Sequence, residues 1–286
     1  MFKQLVNEAV LTVRLAADDP LLIRSGEANS LDPALPDMRF VRCVHNDAET
    51  VYLPGSSFKG VFRMRYEQLA ASLKEPVCPL FDREKSCSAK LSKRHKNEAT
   101  KDGEQRYKES CTACRLFGNL ELGSHIWFTD GYPVGEVCMG MRNGVGIDRK
   151  TGSASNGALY DFEVVESGMF EFKIRFTNFA RYQLALILEI LADINNGYVS
   201  FGMGTSRGNG CMKVESNSLI YRYFGGDEIT NFRGYDKNDL GGIVSASKSL
   251  LAYECALTDI SAALAITSRE GLLSAIQIED WTDVLI

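Results

Sequence analysis

Four cysteines between residues 78 and 114 have the side chains and the spacing expected of a metal site. Cys111 and Cys114 form a Cys-x₂-Cys pair of the zinc-knuckle type, and Cys78 and Cys87 supply the remaining thiolates of a tetrahedral site. The segment that carries them is too rich in Lys, Arg and Glu to bury a core of its own, so we predict a structural zinc ion that keeps it ordered. His95 could replace one cysteine, and unligated cysteines are the alternative.

A proline-glycine turn followed by basic residues lies within residues 52–67. Ser56 and Ser57 have the N-cap character that precedes a helix. Helix N-termini expose unpaired N–H groups, so this turn predicts a phosphate site. The cations behind it are Lys59, Arg63 and Arg65. Because the Gly-Lys-Ser/Thr ending of a nucleotide-binding loop is absent, a polyanionic backbone fits better than a nucleoside triphosphate. An ordinary capped surface helix is the alternative.

Two glycine-rich segments carry further arginines. Residues 138–157 contain Arg142 and Arg149 and predict a flexible basic hairpin, with a mobile surface loop as the alternative. Residues 202–210 surround Arg207 with four glycines, which leave the backbone open to close approach. The second segment precedes a strand, which excludes a dinucleotide-binding fingerprint.

The elements that must position these groups follow the order strand, helix, strand pair, helix, strand. This α+β order is typical of the ferredoxin-like fold of RNA-recognition modules. The first strand should lie in the centre of the sheet, and the third and fourth strands should form a hairpin. The predicted strands are Glu8–Leu15, Ser124–Asp130, Tyr160–Val165, Met169–Phe176 and the segments Cys211–Val214 and Leu219–Tyr223. The predicted helices run to about Leu73 and from Arg181 to Asn195, the second capped by Asn196 and Gly197.

Composition indicates a globular protein, since 45% of its 286 residues are hydrophobic. No apolar run approaches the roughly 20 residues that cross a bilayer, and no signal-peptide core is found, so we expect a cytoplasmic location. The net charge of −5 originates in the tail, because residues 226–286 hold four Lys/Arg and ten Asp/Glu. The nearly neutral body can still present a basic groove, since phosphate binding depends on local charge.

Four motifs in this order resemble the RAMP superfamily, specifically the repeated backbone subunit of type III CRISPR effector complexes of the Csm/Cmr type. They are an aspartate-containing segment before the turn, Leu53–Gly60 followed by Arg63 and Glu67, Val145–Gly152, and Gly202–Gly210. The resemblance covers roughly residues 5–220. It implies a guide-RNA-binding subunit in which residues 147–152 belong to a thumb that inserts against the guide. Residues implied in RNA binding are Ser56, Ser57, Lys59, Arg63, Arg42, Arg142, Arg149 and Arg207.

The resemblance also implies a catalytic aspartate in the loop 25–38. In the family, an aspartate here is linked to metal-dependent cleavage of target RNA. Asp37 matches the family's placement, and Asp32 is a second candidate. A carboxylate can hold Mg²⁺ near the scissile phosphate or orient the attacking 2′-hydroxyl, and a nearby arginine can neutralise developing charge. The alternative is that both aspartates cap turns.

We therefore predict a RAMP/RRM-like domain over residues 1–225, with a zinc-binding insertion at 74–115 and a thumb-like hairpin at 138–158. Residues 226–286 should form an acidic extension, helical over 245–266, that packs on a neighbouring subunit. The expected partners are guide RNA, complementary target RNA, further copies of the chain or related subunits, and other effector subunits, with no membrane.

Three functions are compatible with this reading. The first is a type III backbone subunit that binds guide RNA and cleaves paired target RNA as an endoribonuclease. The second is the same subunit without cleavage. The third is a standalone ribonuclease that processes precursor guide RNA, for which the scattered positions of His45, His95 and His125 offer little support.

Overall fold

The structure is a computed structural model that describes residues 5–26, 36–94, 103–224, 243–248, 252–257 and 269–277. The first strands are β1 (Asn7–Ala17), β2 (Arg42–His45), β3 (Ala48–Val51), β4 (Ile126–Phe128), β5 (Tyr132–Pro133) and β6 (Cys138–Ile147). They are followed by β7 (Ala154–Ser167), β8 (Met169–Thr177), β9 (Met212–Tyr223), β10 (Ile243–Lys248) and β11 (Tyr253–Leu257). The helices are α1 (Gly55–Ser72), α2 (Cys87–Arg94), α3 (Gly103–Lys108), α4 (Thr112–Phe117), α5 (Arg181–Asn195) and α6 (Arg269–Gln277).

The central sheet confirms the ferredoxin-like prediction. Its core strands lie in the order β9-β1-β8-β4, and all neighbouring pairs are antiparallel. β1 lies between β8 and β9, as predicted. Alternate residues of β1, among them Ala9, Leu11 and Val13, are buried because successive side chains of a strand point to opposite faces.

Helices α1 and α5 pack on the sheet and on each other. The buried residues of α1 include Phe58, Phe62 and Tyr66, which recur every four positions along one face. Phe58 stacks on Phe172 of β8 with ring centroids 4.0 Å apart. Helix α5 has the predicted bounds, and Gly197 behind it adopts a φ of 75°, which favours glycine.

Three insertions decorate this core. The β2–β3 hairpin lies between β1 and α1, helices α2 to α4 lie between α1 and β4, and the β6–β7 hairpin lies between β5 and β8. A segment around Leu21 runs along the base of this last hairpin, since Leu21 and Val165 exchange two backbone hydrogen bonds of 2.9 Å. The hairpin predicted from the glycine-rich sequence is an antiparallel ladder with two register shifts, and its base is anchored on the core.

Several predicted details are wrong. Helix α1 begins at Gly55 after Pro54, so Ser56 and Ser57 lie inside the helix and are not its N-caps. The strand predicted over 124–130 is limited to β4. Residues 160–165 pair with β6 and not with β8, because the glycine-rich segment before them is itself extended and β8 is occupied by β1 and β4.

The tail also differs from its prediction. Within residues 245–266, the described parts 245–248 and 253–257 are strands, and the helical prediction is wrong there. Strand β11 pairs with β9, and β10 pairs with β11, so the tail extends the central sheet. Helix α6 lies further along and contacts α5.

Candidate RNA interface and metal centre

The four predicted cysteine ligands meet in one buried cluster. Their Sγ atoms all lie within 4.8 Å of one another, and those of Cys78 and Cys114 are 3.6 Å apart. Cys87 begins α2, Cys111 directly precedes α4 and Cys114 lies within it, whereas Cys78 lies in the irregular segment before α2. A tetrahedron with Zn–S bonds of about 2.3 Å has S–S edges of about 3.8 Å. The cluster thus has the size and the donors to hold a metal ion such as zinc. His95 lies outside the described residues.

The sulfur atoms perturb one another's ionisation. Hydrogen bonding with Cys111 raises the pKa of Cys78, but hydrogen bonds with Cys114 and Cys87 lower it by more, to about 7. Hydrogen bonds with Cys114, Cys78 and Cys87 lower the pKa of Cys111. The backbone N–H of Cys111 donates to Cys87 Sγ over 3.2 Å. Hydrogen bonding with Cys111 raises the pKa of Cys87 and of Cys114. Without a metal ion, the cluster therefore favours the thiolate, the form that binds metal, at Cys78 and Cys111 only.

Arg63, predicted from the family motif to bind RNA, points at this cluster. Its Nη2 donates to Cys114 Sγ over 3.3 Å, its Nη1 to the Gly118 carbonyl over 2.9 Å, and its Nε to Glu67 Oε1 over 2.8 Å. Only 12% of the side chain is exposed. Burial lowers the pKa of Arg63, and the contacts with Glu67 and Cys114 raise it by more.

The start of α1 is also engaged with protein groups. The Gly55 N–H donates to Asp130 Oδ1 over 2.7 Å, and the N–H groups of Ser57 and Phe58 donate to the Pro54 carbonyl. An anion at this helix start would compete with Asp130. Lys59 donates to a serine hydroxyl, Ser124 Oγ, over 3.1 Å, and burial lowers its pKa.

The middle of the β6–β7 hairpin and the glycine-rich loop, residues 202–210, face each other across a cleft of about 220 Å³. Arg207 Nη1 donates to Tyr160 Oη over 3.1 Å, which joins the two sides. Gly204 and Gly208 adopt left-handed conformations at the ends of a short 3₁₀ turn that carries Arg207. The cleft is lined by Leu22, Arg142, Asn143, Gly144, Tyr160, Phe162, Met203, Gly204, Arg207 and Asn209.

Asp37 is exposed beside this hairpin. Its N–H donates to Asp161 Oδ1 over 2.8 Å, and the N–H of Asp161 donates back to Asp37 Oδ2 over 3.1 Å. Asp37 is therefore fixed at the edge of β7, one residue along the strand from Tyr160, and is not itself among the residues that line the cleft. Asp32, the second catalytic candidate, lies outside the described residues.

The remaining predicted cations have different surroundings. Arg42 forms a two-pronged ion pair with Glu163, in which Nη1 is 2.8 Å from Oε2 and Nη2 contacts Oε1. Arg149 is exposed at the tip of the hairpin. There, Asp148 Oδ1 accepts N–H bonds from the two residues after Arg149 at 2.7 Å and 2.9 Å, and these bonds lower the pKa of Asp148.

Sequence reasoning missed three residues of this region. Asp130 accepts the N–H of Gly55 at the predicted phosphate site, and Asp161 accepts the N–H of the predicted catalytic residue Asp37. Tyr160 joins the two sides of the cleft. A carboxylate 124 residues from its partner gives no local signal. The histidines are not gathered at the cleft within the described residues, since His45 stacks on Tyr132 and His125 is buried.

Comparison with known proteins gives a family. The sequence pattern described as the RAMP superfamily matches residues 14–213, which extend from β1 into β9 and include the cysteine cluster and both sides of the cleft. None of the curated proteins compared with the chain matches it. Among the described residues, no helix combines the length and the apolar character needed to cross a membrane.

Proposed function

Because the chain belongs to the RAMP superfamily, we propose that it is a guide-RNA-binding backbone subunit of a type III CRISPR effector complex that cleaves complementary target RNA. The observation that carries the proposal is the cleft between the β6–β7 hairpin and the glycine-rich loop. Arginines from both sides line it, and Asp37 is bound to Asp161 of β7, the strand that contributes Tyr160 and Phe162 to the cleft.

RNA binding is supported by the chemistry of the cleft. Arg142 and Arg207 can form charge-assisted hydrogen bonds with phosphates, and the rings of Tyr160 and Phe162 offer surfaces for a base or ribose. Such contacts follow the shape and backbone of RNA, so sequence selection would come from base pairing with the guide.

The RNA-binding test compares three arginines. Arg207→Ala and Arg142→Ala should each weaken RNA binding and reduce the salt dependence of affinity by about one unit of slope. Arg14→Ala is the control, because Arg14 is exposed on β1 and pairs with Glu171 at 2.7 Å. Equal losses in all three variants would contradict the assignment of the cleft.

Cleavage is assigned to Asp37. Its carboxylate would accept a hydrogen bond from the attacking 2′-hydroxyl and orient it toward the adjacent phosphorus. The new O2′–P bond forms while the bond to the 5′-oxygen breaks, and the 2′ proton passes to that oxygen. The products are a 2′,3′-cyclic phosphate and a 5′-hydroxyl. A bound divalent cation such as Mg²⁺ would neutralise charge on the phosphate. Asp161 holds Asp37 in place.

The cleavage test uses the guide-loaded complex, labelled complementary RNA and Mg²⁺. Wild type is compared with Asp37→Ala and Asp32→Ala. We expect regularly spaced cuts that Asp37→Ala abolishes while target binding persists, and loss of the cuts in Asp32→Ala alone would transfer the role to Asp32. Binding without cuts by wild type would remove the nuclease assignment.

The non-catalytic subunit is the second candidate, and one observation favours it. The carboxylates of Asp37 and Asp161 each accept the backbone N–H of the other residue, which is a structural role sufficient to explain Asp37. For the cysteine cluster, we propose a structural zinc ion bound by Cys78, Cys87, Cys111 and Cys114. Metal analysis of purified protein that finds no zinc would overturn this site.

A further inference from the structure

Arg63 is a nearly buried cation on α1, a helix outside the cysteine-bearing insertion, and its guanidinium contacts the cysteine cluster. All three nitrogen atoms of its guanidinium have separate acceptors, namely Cys114 Sγ, the Gly118 carbonyl and Glu67. We infer that Arg63 is a positioning residue of the metal centre, one that balances thiolate charge and fixes Cys114, and not an RNA ligand. This inference rests on the proposed zinc site.

Charge makes this role necessary. Four thiolates around a divalent ion leave a net charge of about −2 in a buried site. A buried charge needs a partner, and hydrogen bonds to sulfur reduce its electron density. Among the described contacts of the cysteines, Arg63 supplies a full positive charge, whereas Cys111 supplies a neutral N–H to Cys87.

Geometry adds a second function to the same side chain. Gly118 directly follows α4, whose first turn contains Cys114, so Arg63 holds both ends of this short helix. Glu67, one turn further along α1, fixes the guanidinium from behind. A planar guanidinium can serve all three acceptors at once, whereas the single ammonium of a lysine cannot reproduce this geometry.

The chain offers a matched control on the same helix. Arg65 pairs with Asp193 at 2.8 Å and, with 22% of its side chain exposed, is also largely buried. It contacts Asp193 of α5, Gln68 and the ring of Tyr198, and none of these contacts involves the cysteines. Arg65→Gln therefore removes a comparable ion pair of α1 without touching the cluster.

The test measures zinc content and transfer of zinc to a chelator for the full chain. Arg63→Gln should bind zinc about 10- to 100-fold more weakly than wild type, whereas Arg65→Gln should bind it like wild type. Arg63→Lys should recover part of the loss, because the charge remains. The thiolate-to-metal absorption of Co²⁺-loaded protein should change in Arg63→Gln and not in Arg65→Gln, which reports on the ligand geometry itself.

The outcomes separate the two claims. A wild-type protein without zinc affinity overturns the proposed zinc site. Zinc affinity that is equal in wild type and Arg63→Gln overturns only the role of Arg63, as do equal losses in Arg63→Gln and Arg65→Gln. Should Arg63→Gln fail to fold, Arg63→Lys decides, since unchanged zinc transfer in that variant also overturns the role.

Discussion

Gly55 occupies the tightest position at the start of α1. A Cβ atom at this residue would lie 2.6 Å from the carbonyl oxygen of Phe128 in β4, and its N–H is bound to Asp130. Because the obstructing atom is backbone, it can move only with the strand. The absence of a side chain here thus lets the helix approach the sheet.

This position gives the first prediction. Gly55→Ala should lower the free energy of unfolding by about 1–3 kcal/mol, since the added methyl group overpacks against a carbonyl. Gly60→Ala is the matched control in the same helix, where a Cβ meets nothing within 4 Å. It should be neutral or stabilise by up to about 1 kcal/mol. Urea unfolding measures both, and equal effects would contradict the argument.

At the scale of elements, an ion pair joins the β2–β3 hairpin to the β6–β7 hairpin. Arg42 and Glu163 are largely buried, with 22% and 13% of their side chains exposed. Glu163 Oε2 also accepts the N–H of Phe40 over 2.9 Å, in the segment that follows Asp37. The carboxylate therefore fixes the segment that carries the candidate catalytic residue.

The pH dependence of stability follows from this pair. Burial raises the pKa of Glu163, but hydrogen bonds from Arg42 and Phe40 lower it by more, so its net pKa is below the usual value. The stabilisation is fully present above the unfolded pKa of about 4.3, and it is lost as the pH falls through the folded pKa.

Glu163→Gln should therefore be less stable than wild type at neutral pH, and the difference should shrink below about pH 4. Glu171→Gln is the control, because its partner Arg14 is more exposed and surface pairs contribute only about 0–1 kcal/mol. Thermal unfolding across this pH range provides the measurement. A difference that stays constant with pH would contradict the linkage.

The elements also show how far sequence patterns reach. Helix α5 is predicted to the residue because its apolar density and the Asn196-Gly197 end are local signals. The tail is rich in Ala and Leu, which favours a helix, but pairing of β11 with β9 overrides this preference. Contacts between residues that are far apart in the chain leave no local sequence signal either, as for Arg63 and Cys114, which are 51 residues apart.

At the scale of the whole molecule, the cysteine cluster connects the insertion to the ferredoxin-like core. Its ligands come from the segment around α2 and α4, and α1 reaches it through Arg63. A metal ion bound to the folded state alone stabilises that state by mass action. The stability of the complete chain should therefore depend on zinc.

Removal of zinc with a chelator should lower Tm by about 5–10 °C, as expected for loss of a ligand present at about 100 times its Kd. Added zinc should restore Tm. Cys111→Ser should abolish this response, whereas Cys138→Ser should retain it, because Cys138 is an exposed thiol on β6 outside the cluster. A chelator-independent Tm in wild-type protein would contradict a stabilising metal.

The pairing of β11 along β9 has a consequence for solubility. Without it, β9 would present a row of free N–H and C=O groups, which is a template for pairing with another chain. The tail thus covers residues 219–223 of β9 and moves the margin of the described sheet to β10, which is shorter than β9 and a weaker template for pairing. A chain shortened to residue 224 should accordingly form insoluble aggregates through strand pairing, even where its fold and its cleft are complete.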